Sequence, residues 1–458
     1  MLFHTWPFVL FFLISYSIYL LLKETKFRLP WLLAASYVFY AWFNPLYPIL
    51  LFYATSFDYI VVLMMEKRRR KNFWLSLGII NSIALLGFFK YAGFVTDNLN
   101  ALLSLSGISY SIPAPGIILP IGISFYIFQS MSYTIDFYRG NIEREKSFIT
   151  YAAFVSFFPR LVAGPIERAK NLLPQLNNKP NISRQDITDG FSLFIVGFFK
   201  KVALADYLAL YVDKIYAAPD KFQSPALILA TFLFGWQIYF DFSGYTDMAR
   251  GIARTMGINL TLNFNNPYLA TGLGDFWSRW HISLSSWFKD YVYIPLGGNR
   301  KGRLNTYRNM VLTMVISGLW HGAAWTFIIW GAVHALGRVL TREFERTAFY
   351  KEKVPKLVKQ IFVFIFVTFA WIFFRAESTS DAWTIVTRIF SSGFANPYCP
   401  VLALALVFAV WIYQLTYESR IGWILDLAAV RITIVVLMIL YLIIFAPSGE
   451  QAFIYEQF

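Results

Sequence analysis

His321 stands in SGLWHGAAWTFIIW, in the middle of a segment otherwise suited to hydrocarbon. An ionisable side chain in such a place must find partners for its nitrogens away from bulk water, which makes it a functional-site hypothesis from the outset. A neutral imidazole, with a reference pKa of about 6.5, can take a hydroxyl proton as the oxygen attacks a carbonyl, then return it to the leaving group. Acyl transfer is one chemistry open to such a group, and it needs an enclosed histidine that both substrates reach. Gly318 and Gly322 permit close backbone approach or a break, and Trp320 and Trp325 supply large rigid walls. The plainer reading is an imidazole that only ties one helix to another.

A second polar cluster precedes it, DFWSRWHISLSSWFKDYVYIP from Asp275 to Pro295. At helical spacing 277, 281 and 284 share a face, as do 278, 282 and 285, so the plain expectation is an amphipathic interfacial helix with its tryptophans at headgroup level. The sharper expectation makes His281 a second polar group that positions an acyl donor. Asp241 and Asp275 are carboxylates able to orient an imidazole, and their spacing leaves the pairing open. Arg279, Ser285 and Trp320 complete the supporting set. Arg160, Lys289, Arg300 and Lys301 are candidate donor-binding cations, although topology alone accounts for charges in basic loops. His4 and His334 take the plain reading, at the N-terminal interface and near a helix end. No H-E-x-x-H helix, G-x-S-x-G elbow, Walker loop or Cys/His cluster is present, so no metal and no permanent cofactor is expected. The single cysteine, Cys399, excludes an internal disulfide framework.

The elements that must position these groups follow from composition. The chain has 458 residues, of which 57% are hydrophobic, 20% aromatic and only 14% charged. Repeated runs of ~20 apolar residues match a hydrocarbon layer ~30 Å thick. The expected class is an all-α polytopic integral membrane protein, and period-2 alternation for a barrel is missing. The formal charge of +14 sits in short loops, the pattern of positive-inside orientation, so no nucleic-acid partner is inferred. KETKFR (23–28), EKRRRK (66–71) and RGNIEREK (139–146) are read as cytoplasmic, which puts both termini outside. Spans are expected near 6–22, 30–43, 47–65, 72–94, 116–137, 188–216, 226–254, 359–375, 400–416 and 431–446, with an exterior loop over 96–114. Prolines 159, 165 and 174 break 148–186 into re-entrant or surface helices. Residues 304–340 must enter and leave on one side, as a broken hairpin bending near Gly318–Gly322. The whole chain reads as a single membrane domain: N-terminal spans over 1–115, a catalytic core over 116–340 and C-terminal spans over 341–458.

From about Ile118 to Gly337 the chain resembles the membrane-bound O-acyltransferase superfamily, within it the membrane subunits of bacterial alginate and peptidoglycan O-acetylation. The resemblance is carried by PIGISFYIFQSMSYTIDFYRG (120–140), FFPRLVAGPIER (157–168), YFDFSGYTDMARGIARTMGINLTLNFNNPY (239–268), DFWSRWHISLSSWFKDYVYIPLGGNRKG (275–302) and SGLWHGAAWTFIIWGAVHA (317–335). It implies that His321 is the family's invariant histidine and His281 its second polar position. It implies a ring of about 11–13 tilted, re-entrant and broken helices around a thinned centre, with a cytoplasmic tunnel and an exterior funnel. Acetyl-CoA, or another acetyl thioester, is the implied cosubstrate, and the bacterial inner membrane the implied location. The implied partner is a periplasmic SGNH-type O-acetyltransferase, or a related exopolysaccharide-modification protein, acting on a glycan such as alginate or peptidoglycan. Two rivals accompany this reading. One is D-alanyl or other acyl transfer on the same scaffold; the other is a transporter using His321, Lys90 and Asp241 as an ion relay, which predicts inverted repeats that the sequence does not show.

Overall fold

The computed structural model describes residues 1–67, 70–445 and 453–454. Arg68 and Arg69 of the expected basic loop lie outside that set, as does most of the tail PSGEQAFIYEQF. Among the described residues there are helices and connections but no strand. Among the described residues, five helices are long and apolar enough to cross a membrane. The most apolar of them, Ala428–Phe445, buries none of its residues against protein, whereas the least apolar, Ser224–Thr255, is the most buried. That order is the reverse of what water would select and is what a hydrocarbon solvent demands.

The chain forms two compact units, the first comprising Met1–Phe191 and Ala249–Thr261. Its opening helices are α1 (Trp6–Leu22), α2 (Arg28–Ala41) and α3 (Tyr47–Lys67). Next come α4 (Lys71–Leu86) and α5 (Ala92–Leu105), joined through a π turn at Gly87–Tyr91 into one helix of 35 residues. The exterior loop expected from residue 96 is therefore helical as far as Leu105. Polar residues there do not break the helix because they bond one turn back: Thr96 Oγ1 donates to Ala92 O at 2.9 Å and Asn98 Nδ2 to Phe94 O at 2.7 Å. The following span starts later than 116. Pro113, Pro115 and Pro120 keep the chain extended until Gly122, whose φ of 79° opens α6 (Ile123–Tyr138). A β-carbon on Gly122 would stand 2.5 Å from Leu161 O, so only glycine fits.

The proline-rich region does break into short helices, α7 (Phe148–Ser156), α8 (Phe158–Leu161) and α9 (Ala169–Asn177). Irregular backbone between them is enclosed by protein: Ser36 Oγ accepts from Phe158 N at 3.1 Å, and buried Glu167 accepts from Thr261 Oγ1 at 3.0 Å. The chain passes between the units three times, inside α10 (Arg184–Phe199), inside α12 (Ser224–Thr255) and in the loop between Thr261 and Leu262.

The second unit comprises Ser192–Met248 and Leu262–Phe458. A π turn at Lys200–Ala205 leads into α11 (Asp206–Tyr216). After α12 come two short helices, α13 (Leu273–Arg279) and α14 (Ile282–Phe288), then α15 (Gly302–His321) and α16 (Trp325–Phe344). The unit closes with α17 (Lys356–Arg375), α18 (Thr379–Ser391), α19 (Val401–Tyr417) and α20 (Ala428–Phe445). The broken hairpin expected over 304–340 is α15 and α16, with the break at Gly322–Ala324.

Glycines let the two arms of this hairpin touch backbone to backbone. A β-carbon on Gly331 would stand 2.5 Å from Met314 O, and one on Gly318 would meet Phe327 O. Gly331→Val is accordingly expected to cost about 1–3 kcal/mol through overpacking, with a lower melting temperature in detergent and reduced transfer activity. Gly235→Ala is the control, since its β-carbon meets nothing nearer than 3.5 Å. Equal melting temperatures for the two variants would refute the close-packing account.

Candidate active site

α15 ends on His321, which is 3% exposed. Its ring meets Trp320, Trp330 and Phe374 at centroid distances of 5.0, 5.1 and 5.3 Å, each edge to face. The chain can stop the helix there because Gly322 takes an extended conformation and leaves room for the Phe327 ring, which a β-carbon would strike. His321 therefore occupies the inner corner of the broken hairpin, walled by aromatics from three helices.

His281 is not part of a continuous amphipathic helix, as its spacing suggested. It lies between α13 and α14 in the left-handed region, φ 42° and ψ 56°, a conformation uncommon for a residue with a side chain. The preceding loop causes the break by claiming the backbone groups a longer helix would use. Asn265 N donates to Arg279 O and Ile282 N to Asn263 O, both at 2.9 Å. The Asn263 side chain then caps α14, accepting from Ser283 N at 3.1 Å and Ser283 Oγ at 3.0 Å. The kink turns His281 inward, where it is 1% exposed. Its ring lies 4.6 Å from Phe242, edge on, and 6.1 Å from Trp320. One indole, Trp320, thus contacts both histidines.

The profile of the MBOAT, membrane-bound O-acyltransferase, family matches residues 136–379, which contain both breaks and both imidazoles. The chain belongs to this family. An Azotobacter vinelandii relative named probable alginate O-acetylase is 42% identical over 376 residues, covering 81% of this chain and 74% of its own. A Helicobacter pylori peptidoglycan O-acetyltransferase is 38% identical over 397 residues, 80% of this chain and 74% of its own. A Streptococcus thermophilus teichoic acid D-alanyltransferase is 30% identical over 234 residues, 48% and 56% of the two chains. The protein is a multi-pass membrane O-acyltransferase.

The remaining predicted residues of this O-acyltransferase are distributed unevenly. Trp320 and Ser285 are at the site; the Ser285 hydroxyl donates to Trp280 O at 3.0 Å and its N–H to His281 O at 2.9 Å, which secures the kink. Asp275 does not orient an imidazole. Its carboxylate accepts from Arg279 Nε at 2.8 Å and Thr271 N at 3.0 Å, and Arg279 also reaches Glu418 at 2.6 Å, tying α13 to the end of α19. Asp241 likewise pairs elsewhere, with Lys201 at 2.7 Å, while its other oxygen accepts from Ile454 N at 2.7 Å. Of the donor-binding candidates, Lys289, Arg300 and Lys301 are exposed. Arg160 is fully buried in the first unit, where its guanidinium donates to Val155 O. At the far end of the hairpin, the Tyr307 hydroxyl donates to Glu343 and holds that carboxyl below the usual carboxylate range.

Two features escaped the sequence reading. The first is a buried charge cluster: Lys201 Nζ lies 2.8 Å from Asp206 Oδ1 and 2.7 Å from Asp241 Oδ1, while neighbouring Lys200 takes Asp247 at 2.7 Å. The π turn supplies the extra residue that aims adjacent lysines at different carboxylates of α12. The second is His334, which lies mid-α16 and fully buried, not near a helix end. Its position four residues after Trp330 was the available signal, but that spacing reads the same for a lipid-facing ring.

Proposed function

We propose that this acyltransferase takes an acetyl group from cytoplasmic acetyl-CoA and passes it across the inner membrane for O-acetylation of an exported polysaccharide. His321 accepts the proton of the attacking hydroxyl as its oxygen bonds to the thioester carbonyl. The C–S bond breaks, and the proton returns to the departing thiolate. His281 positions the donor or donates to the developing oxyanion, where one such hydrogen bond is worth a few kcal/mol (about 3). Exposed Lys289, Arg300 and Lys301 meet the nucleotide phosphates. The recipient outside is a periplasmic SGNH-type acetyltransferase, with both termini of this chain on that side.

The observation that carries the reading is the shared Trp320 wall: two imidazoles, delivered by two separate helix breaks, are buried against one indole. The relatives named for acetyl transfer cover about four fifths of the chain, and the D-alanyl relative about half. Sidedness follows from the basic loops. The test is purified protein in sealed proteoliposomes of known orientation, with labelled acetyl-CoA on one side and a candidate SGNH-type partner on the other. Label should reach the partner only when acetyl-CoA faces the basic loops. Transfer from a D-alanyl carrier protein but not from acetyl-CoA would move the donor assignment to the rival chemistry, and movement of an intact solute without acyl transfer would favour a transporter.

A further inference from the structure

His334 is fully buried, and its ring is surrounded by others. Trp277 and Trp330 meet it edge on at 5.0 and 4.9 Å, Phe366 at 5.7 Å, and Phe276 lies parallel at 6.3 Å. Trp277 and Trp330 also touch each other, at 5.8 Å. Among the described residues, neither nitrogen of His334 has a hydrogen-bond partner, and the same is true of the indole N–H groups of Trp277 and Trp330. Buried polar atoms in folded proteins are nearly always satisfied, so a cluster of four that are not, on three neighbouring side chains, calls for an occupant. Edge-to-face contacts let an N–H point at a ring, a weak bond that serves donors only. A neutral imidazole also carries a lone-pair nitrogen, and a ring face cannot satisfy that.

The chemistry of the occupant is therefore constrained. It must accept from indole or imidazole N–H groups and donate to an imidazole lone pair, within walls otherwise aromatic and uncharged. A secondary amide does both, its carbonyl accepting and its N–H donating. Trp330 contacts both His321 and His334, at 5.1 and 4.9 Å. One turn past His334, α16 continues to Arg338 and then Arg342, its basic end. A group held at His334 thus sits between that end and His321, one indole away from the latter. In a cysteamine thioester the amide and the acyl carbon are separated by an ethylene link and sulfur, a comparable reach.

We propose that His334, Trp277 and Trp330 form an amide-binding station for the arm of the acyl donor, holding the donor amide while its thioester lies at His321. This rests on the reading of the chain as a thioester-dependent acyltransferase. The test compares two uncharged donors, S-acetyl-N-acetylcysteamine, which has the amide, and S-ethyl thioacetate, which lacks it, by labelled acetyl release in detergent alongside acetyl-CoA. Wild type should show a KM roughly tenfold lower for the amide donor, the worth of one hydrogen bond. His334→Leu should shrink that advantage to within about twofold. Trp277→Phe, which keeps a ring and removes the N–H, should move it the same way.

Equal KM values in wild type would mean the cluster takes no donor amide and would overturn the proposal. So would a His334→Leu variant that keeps the full advantage, or one that loses both donors equally while melting at the wild-type temperature. Should wild type turn over none of the three thioesters, the thioester reading itself fails. That outcome is distinct from active protein indifferent to the amide.

Discussion

His321→Ala is expected to lower acetyl transfer by ~10²–10⁴-fold, the range supplied by a positioned general acid–base group, while the protein stays folded. The residue closes α15 at a break, so its removal takes away no helix hydrogen bond made by a following turn. It does leave a small space beside Trp330 and Phe374. The melting temperature in detergent should therefore fall modestly, and acetyl-CoA should still bind. His281→Ala is the informative companion. Its loss should be smaller if it only positions the donor, and should fall on KM if donor binding is its whole contribution. Undiminished transfer by His321→Ala, with labelled acetyl-CoA and a working partner, would remove the catalytic assignment.

The largest stability effect is expected at Lys201. Its ammonium is buried with Asp206 and Asp241, side chains that are 3%, 6% and 2% exposed. Such clusters persist because the desolvation cost of each charge is offset by its partners; deleting one partner leaves the rest uncompensated. Lys201→Met leaves two buried carboxylates together and should destabilise by about 3–5 kcal/mol. The double variant Lys201→Met/Asp241→Asn should recover part of that loss, because it removes one of the stranded charges. Thermal unfolding of the purified variants measures both. If the single variant melts with wild type, or the double variant is worse by the full sum, the cluster is not the coupled unit described. The same substitution should disturb the site indirectly. Asp241 is followed on α12 by Phe242, whose edge packs on His281, and Asp241 also accepts from Ile454 N while Phe453 lies against Phe242 and Tyr245.

His321 was legible because it is an ionisable group inside an apolar run, and the glycines around it announced the break that the structure has; His281 was legible only as one polar member of a tryptophan-flanked cluster. His334 was not. An imidazole four residues from a tryptophan has the same pattern whether it faces lipid, water or protein, and only packing against Trp277 and Phe276, from a helix some 60 residues earlier in the chain, makes it a buried group in need of a partner. The kink at His281 was equally hidden. Local spacing favoured one amphipathic helix running through His281, and the deciding force was a competing set of hydrogen bonds from Asn263 and Asn265. The end of α5 was misread for a related reason, since polar side chains that bond to their own helix look like loop until their partners are known.

By itself the sequence determined the solvent and most of the helices: runs of apolar residues long enough to span hydrocarbon, prolines where a helix cannot continue, basic loops between. It determined the hairpin break and the residue at its corner, because glycine beside histidine in an apolar stretch admits few other arrangements. Pairing was decided only by tertiary structure. Asp241 went to Lys201 and Asp275 to Arg279, not to an imidazole, since a buried carboxylate takes the nearest cation it can reach in three dimensions, and distance through space is not written in distance along the chain.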